Sequence, residues 1–187
     1  MLHTISQKFH SWTTGWRVII LLIADALMMG YIMPLAGGIL AFAANNHATP
    51  LDLMFFYTPT QAFEMMDKYG EAGRAVYLKI ELTADIIYPI IYTLFYGLLI
   101  SWLFQRGFRS NSNMQKWNVM PVGAWFFDLL ENVGIVSMLG MYPSKPAILA
   151  WLTMLFGLLK WGSFLVTIAL VLIGLVRAAM NGFRKQT

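Results

Sequence analysis

Six ionisable residues stand in parts of this chain where apolar sequence leaves little room for charge. Asp25, Glu81, Asp85, Asp128 and Glu131, five of the nine acids, fall within or at the edge of long apolar runs, and Lys160 lies deep inside another. An ionised side chain at the centre of a membrane helix costs roughly 2.5–3.5 kcal/mol on insertion scales, so it normally faces a partner, a water-filled cavity or a ligand. One deep lysine cannot neutralise Asp85, Asp128 and Glu131 together. Either one carboxyl group keeps its proton at neutral pH, or water, a cation or a cationic ligand supplies the missing charge. Clusters of this kind permit proton transfer. The catalytic candidates are therefore Asp85, Asp128 and Glu131, dividing acid, base and cation-stabilising roles, with Lys160 and Asn132 orienting them.

Positions three, four, seven and eleven apart share one stripe of a helix. That spacing groups Glu81, Asp85, Tyr88 and Tyr92 on one helix, and Trp125, Asp128 and Asn132, with Glu131 at the margin, on a second. On a third it aligns Thr153, Gly157, Lys160, Phe164 and Thr167. With the α-helical rise, Asp128 lies about 18 Å from Lys116, Glu131 about 22 Å, Lys160 about 25 Å from Arg177 and Asp85 about 28 Å from Phe104. These four can share one layer. Asp25, only about 12 Å from Arg17, stands apart. Pro89 cannot donate a helical hydrogen bond and is expected to kink the second helix and free a carbonyl at the Asp85 turn. Glu81, Tyr88, Tyr92, Trp125, Asn132 and Trp161 are the candidate ligand-binding residues, although aromatic side chains in membrane helices more often simply pack. A purely structural role is the alternative for Lys160, pairing with Asp128 or Glu131 to specify helix contacts.

The elements that must position these groups follow from composition. The 187 residues are 58% hydrophobic and 12% charged, against about 25% charged in an ordinary soluble domain. Four runs, about 17–44, 76–104, 119–142 and 146–176, can each span the roughly 30 Å hydrocarbon core as a helix. The expected fold is all-α, a polytopic four-transmembrane-helix bundle forming a single domain over 1–187. In the 45–75 connection, Thr58-Pro59-Thr60-Gln61 reads as a capped helix start, giving a short helix to about Lys68. Gly70 and Gly73 should then break the chain before the second span. Residues 1–16 carry Leu2, Ile5, Phe9, Trp12 and Trp16 at helical spacing opposite Gln7, Lys8, His10 and Thr13, the pattern of an interfacial anchor.

Lys8, Arg17, Arg106, Arg109, Lys116, Arg177, Arg184 and Lys185 fall on one side of the spans with no acid among them, which predicts a cytoplasmic face carrying both termini. The expected location is the cell membrane, a prokaryotic inner membrane. The first span contains Asp25 and is too long for a cleaved signal sequence, despite the small-residue pattern at Ala41-Phe42-Ala43. The chain has no cysteine, which excludes thiol nucleophiles and thiolate metal sites. His3, His10 and His47 are too scattered for a zinc or bis-histidine haem site, so no metal and no cofactor is expected.

Two stretches, Tyr69-Gly70-Glu71-Ala72-Gly73-Arg74-Ala75-Val76-Tyr77 leading to Asp85 and Pro89, and Phe127-Asp128-Leu129-Leu130-Glu131-Asn132, resemble a group of uncharacterised small four-helix prokaryotic membrane proteins. In organisation the chain also resembles the EXPERA proteins, which include sterol isomerases and a ligand-binding receptor. The shared features are a long first outer loop and a second helix with an acid followed by a proline, here Glu81-Leu82 and Pro89-Ile90. The Asp-x-x-Glu-Asn of the third helix departs from that group, and the likeness is one of organisation only.

Three functions are compatible with these features. The leading one is an intramembrane site that binds a lipophilic or amphiphilic small molecule, with isomerase-like proton transfer within it. The second is half of a proton- or cation-coupled transporter, completed as a homodimer. The third is a subunit or assembly factor of a membrane complex. Membrane lipids are the expected partners, and nothing in the sequence points to nucleic acid. Arg74, at the entrance of the second helix, is expected to tie down acids of the loop.

Overall fold

The computed structural model describes residues 2–45 and 49–184. His47 and Lys185, read above as an outer histidine and an inner base, lie outside the described residues. Four stretches are long and apolar enough to cross a membrane: Gly15–Ala43, Pro59–Gly107, Asn113–Met141 and Ala147–Gly182. The chain is thus an all-α, multi-pass integral membrane protein of the four-helix-bundle class.

A first helix, α1 (Leu2–Trp12), precedes α2 (Gly15–Leu27), and α2 continues through a π-helical turn, Met28–Ile32, into α3 (Met33–Ala43). Pro34 has no N–H to return to the preceding turn. The ladder widens just before it, where the Met33 N–H reaches the Met28 carbonyl five residues back. In α4 (Pro59–Glu81), Thr58 and Gln61 form the expected capping box, with the Thr58 N–H donating to Gln61 Oε1 at 2.8 Å and the Gln61 N–H to Thr58 Oγ1 at 3.3 Å.

The chain leaves helical geometry at Gly70, as expected, with φ of 63° and ψ of −175° that suit glycine, and a second helical stretch then runs to Glu81. Arg74 Nη1 donates to the Met66 carbonyl at 3.0 Å, compensating the interrupted ladder, and its guanidinium lies 3.7 Å from the Tyr142 ring centre. Arg74 therefore secures the kink, while the loop acid Asp67 is held by Lys145 at 2.7 Å and by the Tyr142 hydroxyl at 2.7 Å. The hydrogen bond that Lys145 donates to Asp67 holds its ammonium pKa above the ordinary range. Gly73 is no break: it lets α4 approach α3, since a Cβ there would come within 3.3 Å of the Ala44 Cβ. A further interruption falls at Leu82–Thr83, where Thr83 Oγ1 donates to the Lys79 carbonyl at 2.6 Å. Helices α5 (Ala84–Gly107), α6 (Met120–Met141) and α7 (Ala147–Arg184) follow, with a 3-10 segment, Asn113–Val119, before α6.

The chain divides into two compact units. One comprises the described parts of Met1–Asp25, Ile90–Trp125 and Gly162–Thr187; the other comprises those of Ala26–Pro89 and Phe126–Trp161. In the first unit α1 is more than an anchor. Its Phe9 ring fills the space left by Gly97, where any Cβ would collide with it, and buries beside Val18, Phe95 and Leu98. His10, expected on a wet face, has Nε2 2.9 Å from the Gln115 carbonyl and Nδ1 3.1 Å from Gln105 Nε2. Buried Asn118 donates to the Ser6 carbonyl at 3.1 Å and to Ser101 Oγ at 2.8 Å. Asp25 belongs to this unit, buried, with Oδ1 lacking a hydrogen-bond donor. The core of the second unit joins Leu40 of α3, Phe63, Met66 and Tyr77 of α4, Ile135 and Met138 of α6, and Met154 of α7.

Candidate functional site

Helices α6 and α7 meet in the second unit through very small residues. At Gly134 a Cβ would run into the Thr153 side chain, and at Gly157 it would run into the Glu131 carboxylate. The close approach lays Glu131 across the bare backbone of α7, one turn from Lys160. The Lys160 ammonium lies 2.5 Å from Glu131 Oε2 and 3.7 Å from Asp128 Oδ1, with 1% of the Glu131 side chain and 12% of the Lys160 side chain exposed. Breaking such a pair on one side strands the other charge, a cost of roughly 3–5 kcal/mol.

Asp85, in the first turn of α5, is buried in the same unit. It lies in the electrostatic field of Asp52, Asp128, Lys160 and Glu131. Its main-chain oxygen is the one that Pro89 leaves without a helical donor, and Asn132 Nδ2 donates to it at 2.8 Å. The carbonyl freed by the proline thus exists, and Asn132 is occupied in capping it. Its amide ties α6 to the turn of α5 that carries Asp85.

Glu81 closes α4 just before the Leu82–Thr83 turn and lies in the electrostatic field of Asp85. It is 1% exposed, and the Tyr77 hydroxyl lies beside its carboxyl group. The nearby Tyr77 hydroxyl spends its proton on Asp52 Oδ1 at 2.8 Å while accepting from the Leu51 N–H at 2.8 Å. These bonds tie Asp52 and the loop to the body of the unit. Tyr69 adds a third tie, its hydroxyl donating to the Thr49 carbonyl at 2.6 Å.

Sequence reasoning missed Asp52 and Tyr57. Tyr57 is buried, its hydroxyl has no hydrogen-bond partner, and it sits in the field of Glu131, Lys160, Asp52 and Glu81. Burial first, and then Glu131, push this phenol above its ordinary range. The signal was the apolar run Leu53–Tyr57 inside an otherwise polar connection. Phe55 from that run packs on Trp161 with ring centres 4.8 Å apart, and Phe56 lies 6.3 Å from Trp151. Lys160 Nζ stands 5.5 Å from the Trp161 ring centre.

The second unit therefore brings together Glu81, Asp85, Asp128, Glu131, Asn132 and Lys160, with Tyr88 half-buried on α5 and Trp161 under Phe55. Tyr92 and Trp125 belong to the first unit, where Tyr92 meets Phe164 edge-on at 6.0 Å. Five carboxyl groups, those of Asp52, Glu81, Asp85, Asp128 and Glu131, share this second unit with the single deep base Lys160. Among the described residues, no three acids or histidines converge as ligands of a metal ion do. No protein-family model, curated protein or solved structure matches this chain.

Proposed function

We propose that the carboxylate and lysine cluster of the second unit binds a lipophilic or amphiphilic small molecule that carries positive charge or hydrogen-bond donors. The observation that supports this reading is the excess of acceptors. Lys160 neutralises one carboxylate at contact distance, while the buried Glu81 carboxyl group shares the single proton of the Tyr77 hydroxyl with Asp52, which holds it. A buried polar group left unsatisfied costs roughly 1–3 kcal/mol, and a ligand that satisfies it recovers that cost. The surrounding rings of Phe55, Trp161 and Tyr57 suit an apolar body attached to such a head. Proton transfer between ligand and carboxyl groups is the reaction the cluster can support, with Asp85, Asp128 and Glu131 exchanging the proton and Lys160 holding Glu131 in place.

The test is mass spectrometry of organic extracts from purified protein. Wild-type protein and Asp25→Asn should retain the same apolar molecule in the same amount, because Asp25 belongs to the other unit. Glu81→Gln should retain about tenfold less, since a hydrogen bond to a charged group contributes roughly 1.5–3 kcal/mol. Equal retention by all three proteins would move the ligand away from this cluster.

A further inference from the structure

The first unit carries a separate feature of different chemistry. A groove of about 410 Å³ is lined by Trp12, Arg17, Ile20, Leu21, Leu94 and Leu98. Five of these residues are apolar and one is cationic. Arg17 Nη1 donates to the Trp12 carbonyl at 2.8 Å, which fixes the guanidinium at the joint between α1 and α2, and its remaining N–H groups bond to no described residue. Two further polar atoms are buried at that joint without partners, Thr14 Oγ1 and the Trp102 indole N–H. A Cβ on Gly15 would lie 3.6 Å from that indole nitrogen. Arg106 stacks over the same ring at 3.8 Å.

Charge in this unit has one sign. Its described ionisable side chains other than the histidines and tyrosines are Lys8, Arg17, Arg106, Arg109, Lys116 and Arg177, opposed only by buried Asp25. Trp12 and Trp16, both more than half exposed, are of the type that settles at the level of lipid headgroups. An apolar trough that carries a guanidinium, in a unit rich in basic residues, complements a molecule with an acyl chain and an anionic head.

We infer that this groove is a binding site for an anionic phospholipid, with an acyl chain along Ile20, Leu21, Leu94 and Leu98 and the phosphate on Arg17. Arg17 supplies the charge and forked donors that suit a phosphate. The groove shares no lining residue with the carboxyl cluster.

Native mass spectrometry tests this with protein exchanged into equal amounts of phosphatidylglycerol and phosphatidylcholine bearing the same chains. Wild-type protein should retain the glycerol lipid about tenfold over the choline lipid, the effect of roughly 1.4 kcal/mol. Arg17→Gln should remove that preference. Arg109→Gln, an equal loss of charge elsewhere on the basic face, should change it less than twofold. Ile20→Trp, at an exposed position of the groove wall, should lower retention of both lipids. Glycerophosphoglycerol, the head without chains, should displace nothing. Equal retention of the two lipids, an equal effect of Arg109→Gln, or displacement by the chainless head would each overturn the inference. Should Arg17→Gln fail to fold, unchanged retention by Ile20→Trp would overturn it alone.

Discussion

The side-chain amide of Asn132 on α6 donates to the main-chain oxygen of Asp85 on α5 at 2.8 Å, the oxygen that Pro89 leaves without its helical donor. One interhelical bond thus repairs a defect built into the helix that carries the acid. Replacing Asn132 by Leu should lower unfolding stability by about 1 kcal/mol, the usual scale of such bonds in membrane proteins. Pro89→Ala restores an N–H at position 89 and should return most of that loss in the double variant. Strictly additive losses in a double-mutant cycle, read by denaturant titration in detergent, would sink this account.

Lys160→Met leaves Glu131 and Asp128 without their contact base and should destabilise by roughly 3–5 kcal/mol, measured by thermal unfolding. Adding Glu131→Leu removes the stranded charge and should recover most of the stability. The retained ligand then separates the roles. Recovered folding with full retention makes the pair structural, whereas recovered folding with an empty protein places the pair in the site.

Gly134 and Gly140 offer an internal comparison on α6. A Cβ at Gly134 meets the stiff, branched Thr153 side chain, while a Cβ at Gly140 meets nothing within 4 Å. Gly134→Ala should destabilise by about 1–3 kcal/mol through forced separation of the helices. Gly140→Ala should be neutral or stabilise by roughly 0.5–1 kcal/mol through helix propensity. Equal melting temperatures for the two variants would show that α6 and α7 do not meet at Gly134.

Orientation is open to direct measurement because the chain has no cysteine of its own. Exposed Glu71→Cys should react with an impermeant maleimide added outside intact cells, and exposed Ser110→Cys only after the cytoplasmic face is opened. The reverse pattern would invert the topology drawn from the basic residues.

The sequence alone determined the membrane class and the four spans, because burial of some twenty apolar residues per helix is a local property that composition reports. It also determined the Thr58 cap and the carbonyl freed by Pro89, since both depend on residues within one turn. Which donor would answer that carbonyl was not local. Asn132 lies on another helix, and only the packing of α5 against α6 could spend its amide there. The Gly70 break was visible, but the turn at Leu82–Thr83 was not, and neither was the bond from Arg74 to the Met66 carbonyl that answers the Gly70 break. Asp52 and Tyr57 were hidden for the same reason: a loop residue enters a buried cluster only through long-range ties, here Tyr77 to Asp52 and Phe55 to Trp161. Charge type and spacing are written along the chain, whereas which oxygen lies beside which nitrogen is decided by helices brought within reach of Gly134 and Gly157.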